Sequence, residues 1–131
     1  MKYLVDTSVL IQSLISKAKL NQRALSLLAD DSSELYFSAA SSWEITIKTA
    51  IGKLILPEPP SEFVTTAMRL MALRSLDITH FHAFALAALP NHHRDPFDRM
   101  LIAQAQAEQL VLLTIDRIFE QYKVDHVFCG R

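Results

Sequence analysis

Four acidic residues are far apart in the chain, yet each lies where an α/β fold would bring it towards the others: Asp6, Glu44, Asp98 and Asp116. Asp6 directly follows the apolar run KYLV, and Asp116 directly follows VLLTI. Glu44 and Asp98 lie near the starts of two helix-like segments. Carboxylates gathered in one cleft repel each other and favour a divalent cation, and an all-oxygen ligand set suits Mg²⁺ or Mn²⁺. The pattern therefore predicts a metal-dependent enzyme.

The segments that carry these acids alternate between short strands and helices. Short apolar runs predict strands at residues 2–5, 34–37, 75–78, 111–114 and 126–128. Helical periodicity predicts helices after Thr7 or Ser8, at 21–29, from Ser38 to Gly52, and at 61–73, 81–89 and 96–110, with a helical turn at 118–122. Alternation of this kind predicts a three-layer α/β/α sandwich with a central, mostly parallel sheet.

Two of the acids come directly after predicted strands, and ligands in such sheets bind beyond the carboxyl ends of the strands. Asp6 has an alternative interpretation as a helix N-cap, but Thr7 and Ser8 can cap that helix instead. We therefore interpret Asp6 as a site residue. Asp116 has a similar alternative as a turn or cap residue after Thr114.

The other two acids begin helices. Pro96 suits the first helical position and Asp95 the N-cap, so we interpret Asp95 as a capping residue. Asp98 falls three residues after Asp95, where a capping box would also use it. We interpret Asp98 as a site residue because the apolar face of its helix docks on the sheet and directs the first turn into the cleft. Glu44 has an alternative as a surface partner of Lys48 at i+4.

Several basic residues lie close to these acids in sequence. His93 and Arg94 fall in a predicted loop, and Arg99 and Arg117 each follow a candidate acid. Each is either a solvated surface residue or a contact to a phosphate group. No cluster of cysteine and histidine has the spacing of a zinc site.

The bulk composition narrows the function classes. The 131 residues predict one domain over 1–131, and the net charge is −1. Removing the four candidate acids from the 14 acidic residues leaves 10 against 13 basic ones, so the remaining surface is mildly basic and permits a phosphate-bearing substrate. The chain has only two glycines, which is too few for a Gly-rich phosphate loop or for the glycines that flank a nucleophile elbow. One cysteine and the absence of a signal peptide or a long apolar run predict a cytoplasmic protein with no membrane partner.

Taken in order, the segments YLVDTS, SSWEI, DPFDRMLIAQA and LLTIDRIF resemble the PIN-domain ribonucleases, especially the VapC-type toxins of bacterial toxin–antitoxin pairs. The resemblance covers essentially the whole chain. It implies that Asp6 and Asp98 are the two main metal-binding acids and that Glu44 and Asp116 complete an acidic quartet. Four further residues match supporting positions of the family, with Asp95 typical of the branch that carries DPFDR: Thr7, Ser8, Asp95 and Thr114.

The resemblance further implies hydrolysis of RNA phosphodiester bonds assisted by Mg²⁺ or Mn²⁺, a homodimer and a cognate antitoxin protein. Three alternatives stay open. One is a housekeeping PIN nuclease in RNA processing without an antitoxin. Another is a non-catalytic binding module whose acids only cap helices. The third is a DNA nuclease of related geometry.

Overall fold

The computed structural model describes residues Met1–Arg131 and contains five strands and six α-helices. The strands are β1 Lys2–Val5, β2 Glu34–Ser38, β3 Arg74–Leu76, β4 Val111–Thr114 and β5 His126–Phe128. The helices are α1 Thr7–Ile15, α2 Gln22–Ala29, α3 Ala39–Ala50, α4 Pro60–Leu70, α5 His80–Ala85 and α6 Pro96–Glu108. Short 3₁₀ turns occupy Lys17–Lys19, Leu86–Ala88 and Arg117–Gln121. None of the helices has both the length and the apolar character needed to cross a membrane.

The five strands form one sheet in the order β3-β2-β1-β4-β5, and all four pairings are parallel. Helices cover both faces, which confirms the predicted three-layer sandwich. Because every strand runs in the same direction, the carboxyl ends of all five lie along one edge of the sheet. Asp6 follows β1 at this edge, and Thr114 ends the neighbouring strand β4.

Successive side chains of the central strand β1 point to opposite faces of the sheet, so the core has two layers. Tyr3 and Val5 of β1 pack with residues of α1, α2, α3 and α4 on one face of the sheet. Leu4 points to the opposite face, where it packs with Leu101 and Ile102 of α6. All five side chains are at least nine-tenths buried. The sheet is therefore buried on both sides, as its continuous apolar strands require, and α6 is held firmly over β1.

Several element boundaries differ from the predictions for a local reason. The predicted helices 61–73 and 96–110 end earlier, at Leu70 and Glu108, because Ala72 and Gln109 adopt left-handed φ values of 52° and 56°. The predicted helix 81–89 begins at residue 80 and tightens into a 3₁₀ turn after residue 85. The predicted strand 75–78 covers 74–76 instead.

The start of α1 also differs from its prediction. The helix begins at Thr7, with Asp6 in the N-cap position, and no side chain caps it. The expectation that Thr7 or Ser8 caps this helix is therefore wrong, because both are already helical residues. Thr7 instead donates its hydroxyl to another part of the fold. By contrast, the side chain of Ser38 caps α3, accepting from the backbone N–H of Ala40 at 3.0 Å.

Candidate metal centre

Asp6 is fixed in the floor of the cleft at the carboxyl edge of the sheet. Its side chain is only 3% exposed, and its Oδ2 accepts a 2.8 Å hydrogen bond from the hydroxyl of Thr114. Its backbone N–H donates to the carbonyl of Leu113 at 3.0 Å, which continues the pairing of β1 with β4. The pKa of Asp6 is raised to about 7, chiefly by burial; the charges of Asp98 and Glu44 also raise it, while the Thr114 hydrogen bond opposes them. The ionised carboxylate is thus held where it is poorly solvated.

Glu44 reaches the same cleft from the second turn of α3. It is buried, and its Oε1 accepts a 2.7 Å hydrogen bond from the hydroxyl of Thr7. Its Oε2 forms an ion pair with Lys48. The i+4 pair considered from the sequence therefore forms, and Glu44 also lies in the cleft. Burial lowers the pKa of Lys48, but the hydrogen bond and charge of Glu44 outweigh this, and the net pKa is raised. Lys48 therefore supplies a positive charge inside the acidic cleft.

Asp95 and Asp98 take different roles at the start of α6. Oδ1 of Asp95 accepts from the backbone N–H groups of Phe97 at 2.9 Å and Asp98 at 3.1 Å, which confirms the predicted cap. The Asp98 carboxylate does not reach back to the helix start. Its Oδ2 lies 2.7 Å from Nε2 of His93. The pKa of Asp98 is raised to about 6, chiefly by burial; the His93 hydrogen bond opposes this, and the charges of Asp95 and Glu44 add to it.

These acids form two overlapping groups of potential metal ligands. One oxygen from each of Glu44, Asp95 and Asp98 lies within 4.8 Å of the others. Ligand atoms of His93, Asp98 and Asp116 meet the same distance limit, so Asp98 belongs to both groups. Asp6 belongs to neither, although its charge is close enough to Asp98 and Glu44 to perturb its pKa. The structure thus clusters Asp98 with Glu44 and Asp116, with Asp6 buried beside them.

Asp116 occupies the exposed rim. Its Oδ1 accepts from the backbone N–H of Ile118 at 2.9 Å, so it caps the Arg117–Gln121 turn as the alternative interpretation required. Its own N–H donates to the Thr114 hydroxyl at 3.0 Å, and that hydroxyl in turn donates to Asp6. Thr114 therefore links the buried acid to the rim acid. Ser8 is half-buried in α1, and its hydroxyl forms no hydrogen bond with the chain.

Two members of this cleft were not predicted as site residues. Lys48 was considered only as a surface partner of Glu44, and His93 only as a solvated residue or a phosphate contact. The spacing of four between Glu44 and Lys48 signals their pairing, but not that the pair is half-buried beside other acids. His93 precedes Asp98 by five residues across a helix start, and no periodic pattern relates a loop residue to a helical one.

The arginines near the acids differ in their availability to a substrate. The Arg99 guanidinium donates to backbone carbonyls, including that of Pro90 at 2.8 Å. Arg117 pairs with Glu120 at 2.7 Å, and its guanidinium lies 3.8 Å from the centre of the Phe128 ring. Arg94 is exposed and forms no ion pair or hydrogen bond through its side chain. Of the basic residues considered from the sequence, Arg94 is thus the cation most available to bind a phosphate group.

The donor set fits a hard divalent cation. The group formed by Glu44, Asp95 and Asp98 offers only carboxylate oxygens, and oxygen ligands suit Mg²⁺ and Mn²⁺. Burial is the largest cause of the raised pKa values of Asp6 and Asp98, and the charges of neighbouring carboxylates add to it. A divalent cation among Glu44, Asp95 and Asp98 would relieve this repulsion.

Comparison with known proteins agrees with this fold. Residues 3–125 match the family model of the PIN domain. A 56-residue stretch, 43% of this chain, is 38% identical to Ribonuclease VapC16 of Mycobacterium tuberculosis. That stretch spans only 40% of the relative's length.

Two solved structures share the whole fold at low identity. One is VapBC2 of Rickettsia felis bound to a DNA fragment from its promoter, with a TM-score of 0.75, 16% identity, and coverage of 99% of this chain and 100% of that one. The other is DNA-bound VapBC of Salmonella typhimurium, with a TM-score of 0.67, 19% identity and 98% coverage of both chains. Because the family match extends over nearly all of the residues described above, the chain belongs to the PIN-domain family.

Proposed function

We propose that this protein is a Mg²⁺- or Mn²⁺-dependent endoribonuclease that hydrolyses phosphodiester bonds in RNA, and that it is the toxin of a toxin–antitoxin pair. The observation that carries the proposal is the position of Asp98. Its carboxylate belongs to two groups of potential metal ligands, which lie where the strands of this PIN fold end. The similarity to a VapC ribonuclease supports RNA as the substrate.

In this proposal Asp6, Glu44, Asp98 and Asp116 hold the cation, and Asp6, which lies outside both groups of ligand atoms, completes the site from the floor of the cleft. Bound there, a divalent cation supplies charge to stabilise the phosphate and lowers the pKa of water. The protein's own part is to fix the acids beforehand. The Thr114 hydroxyl holds one oxygen of Asp6, and the Thr7 hydroxyl holds one oxygen of Glu44.

The chain also offers groups that would orient an RNA strand. Arg94 lies next to Asp95 in sequence, and its exposed guanidinium is available to bind a phosphate near the acidic cleft. Asp95 keeps the first turn of α6 in place through its two backbone hydrogen bonds. We assign Ser8 no chemical step.

The proposed partners are a cognate antitoxin and a second copy of this chain, acting in the cytoplasm. The fold similarity to chains of VapBC assemblies supports the antitoxin. A housekeeping nuclease with the same chemistry would lack this partner. An adjacent small gene whose product binds and inhibits the protein would separate the two functions.

The test is cleavage of a pool of total tRNA and ribosomal RNA by the purified protein. Reactions would contain Mg²⁺, Mn²⁺ or EDTA, and would compare wild type with Asp98→Asn and with Asp31→Asn. Asp31 is an exposed acid in the turn after α2 and serves as the matched control. We expect discrete products that require the metal, vanish in Asp98→Asn and persist in Asp31→Asn. A DNA pool of matching sequences tests the DNA-nuclease alternative, and equal metal-dependent cleavage of DNA would refute the RNA assignment.

The binding-module alternative makes the opposite prediction for the same reactions. If the acids only cap helices, no RNA is cut with either metal, and Asp98→Asn behaves as wild type. Such a result would refute the nuclease proposal.

A further inference from the structure

The loop between α5 and α6 is tied to α6 by one arginine. The Arg99 guanidinium donates through one nitrogen to the carbonyls of Pro90 at 2.8 Å and His93 at 3.3 Å. Through the other nitrogen it donates to Leu86 at 3.4 Å and Leu89 at 3.5 Å. A guanidinium has five N–H donors in a rigid plane, so one side chain fixes four points of this loop.

Tyr122 holds the same loop from the other side. Its hydroxyl accepts from the backbone N–H of His93 at 2.9 Å and from Arg99 at 3.3 Å. The Tyr122 side chain is buried against the α6 face of the sheet. The N–H and the carbonyl of His93 are therefore both bound by side chains, which restrains the backbone of this loop residue.

This restraint aims the imidazole at Asp98. Nε2 of His93 lies 2.7 Å from Oδ2 of Asp98. Because an ionised carboxylate only accepts hydrogen bonds, Nε2 is the protonated nitrogen of the ring. The terminal torsion of an aspartate is broad, so a carboxylate without a partner samples many orientations. Fixing one oxygen removes that freedom.

We infer that His93 is a positioning residue that holds the Asp98 carboxylate in the orientation required to bind the divalent cation. The inference rests on the proposed function, because it needs Asp98 to be a metal ligand. Partners that orient metal ligands in this way contribute about 10- to 100-fold to metal affinity in other proteins. Arg99 and Tyr122 act on Asp98 indirectly, because they hold the backbone of His93.

The packing of His93 separates this role from a purely structural one. Its side chain is 25% exposed, and it lies in a loop and not in either apolar core. A loss of metal affinity in a variant with unchanged thermal stability would reflect the lost hydrogen bond to Asp98.

The test is calorimetric titration of the full chain with Mn²⁺, without RNA. The variants are His93→Ala, which removes the donor, and His93→Gln, whose amide N–H reaches about as far as Nε2. His80→Ala is the matched control, since His80 is an exposed histidine at the start of α5 and does not bond to Asp98. We expect the Kd for Mn²⁺ to rise about 10-fold in His93→Ala, to recover to within about threefold of wild type in His93→Gln, and to stay unchanged in His80→Ala. RNA cleavage at a fixed low Mn²⁺ concentration should follow the same order, with KM for RNA unchanged.

Two results would overturn the inference. One is wild-type Mn²⁺ affinity in His93→Ala. The other is a His93→Gln variant as weak as His93→Ala, which would show that the N–H donor is not what matters. Tyr122→Phe removes the hydroxyl that holds the His93 backbone but leaves the imidazole intact. We expect this variant to raise the Kd for Mn²⁺ by a smaller factor than His93→Ala.

Asp98→Asn in the same titration separates failure of this inference from failure of the proposed function. If Asp98→Asn loses Mn²⁺ binding and His93→Ala does not, His93 has no positioning role and the metal site stands. If Asp98→Asn binds Mn²⁺ like wild type and the wild type cuts no RNA, the metal-dependent nuclease itself is refuted.

Discussion

Replacing Asp6 with asparagine should stabilise the protein at alkaline pH while abolishing its activity. Burial is the first reason that the pKa of Asp6 is raised from 3.8 to about 7. An acid whose pKa is raised on folding stabilises the fold only while it stays protonated. Its contribution is fully present below pH 3.8 and is lost as the pH rises towards 7.

The size of this effect follows from the pKa difference. Each pKa unit corresponds to 1.36 kcal/mol, so a shift of about three units makes the ionised Asp6 cost about 4 kcal/mol of unfolding free energy at pH 8. The amide of Asp6→Asn has no charge to desolvate. Its oxygen can still accept the hydrogen bond that Thr114 donates. We therefore expect Asp6→Asn to be more stable than wild type by about 4 kcal/mol at pH 8 and by less than about 1 kcal/mol at pH 4.

The assay is urea unfolding followed by circular dichroism, in EDTA, at several pH values from 4 to 8. Asp31→Asn is the control, because this exposed acid should change stability by less than about 0.5 kcal/mol at any pH. Adding Mg²⁺ should stabilise wild type more than Asp6→Asn, since the cation compensates the charge that the variant lacks. A stability difference between wild type and Asp6→Asn that does not grow with pH would refute the reasoning.

Three further changes test the surroundings of the acids. Lys48→Met leaves the buried Glu44 without its cation, and urea unfolding in EDTA should show a loss of about 2 kcal/mol that excess Mg²⁺ largely restores. Arg94→Ala removes an exposed cation beside the cleft, so steady-state cleavage should show KM for RNA raised about three- to tenfold at low salt, less at high salt, with kcat unchanged. Thr114→Val keeps the shape of the side chain but removes the donor to Asp6, and it should cost about 1–3 kcal/mol of unfolding free energy and lower the cleavage rate. Unchanged stability in the Lys48 or Thr114 variant, or an unchanged KM in the Arg94 variant, would contradict the corresponding contact.

Much of the fold was predictable because its signals are local. Short apolar runs and helical periodicity located all five strands and six helices to within a few residues. The ends of α4 and α6 were missed because Ala72 and Gln109 are not residues that mark a left-handed turn as glycine does. The start of α1 was missed because Asp6 occupies the N-cap position although its side chain accepts from Thr114, 108 residues away, and local capping rules cannot weigh a distant competitor.

The order of acids along the chain, and their places after strands and at helix starts, was enough by itself to indicate an acidic cleft at the carboxyl edge of a parallel sheet. Strand direction and helix capping are properties of neighbouring residues, which a sequence displays directly. Only the tertiary structure decided which oxygen bonds to which donor: Thr114 with Asp6, Thr7 with Glu44 and His93 with Asp98. Two of these pairs join residues from different elements of the chain, and the third spans a loop and a helix start. Their geometry depends on how the helices pack on the sheet and how Arg99 and Tyr122 hold the loop, and no spacing along the chain encodes that packing.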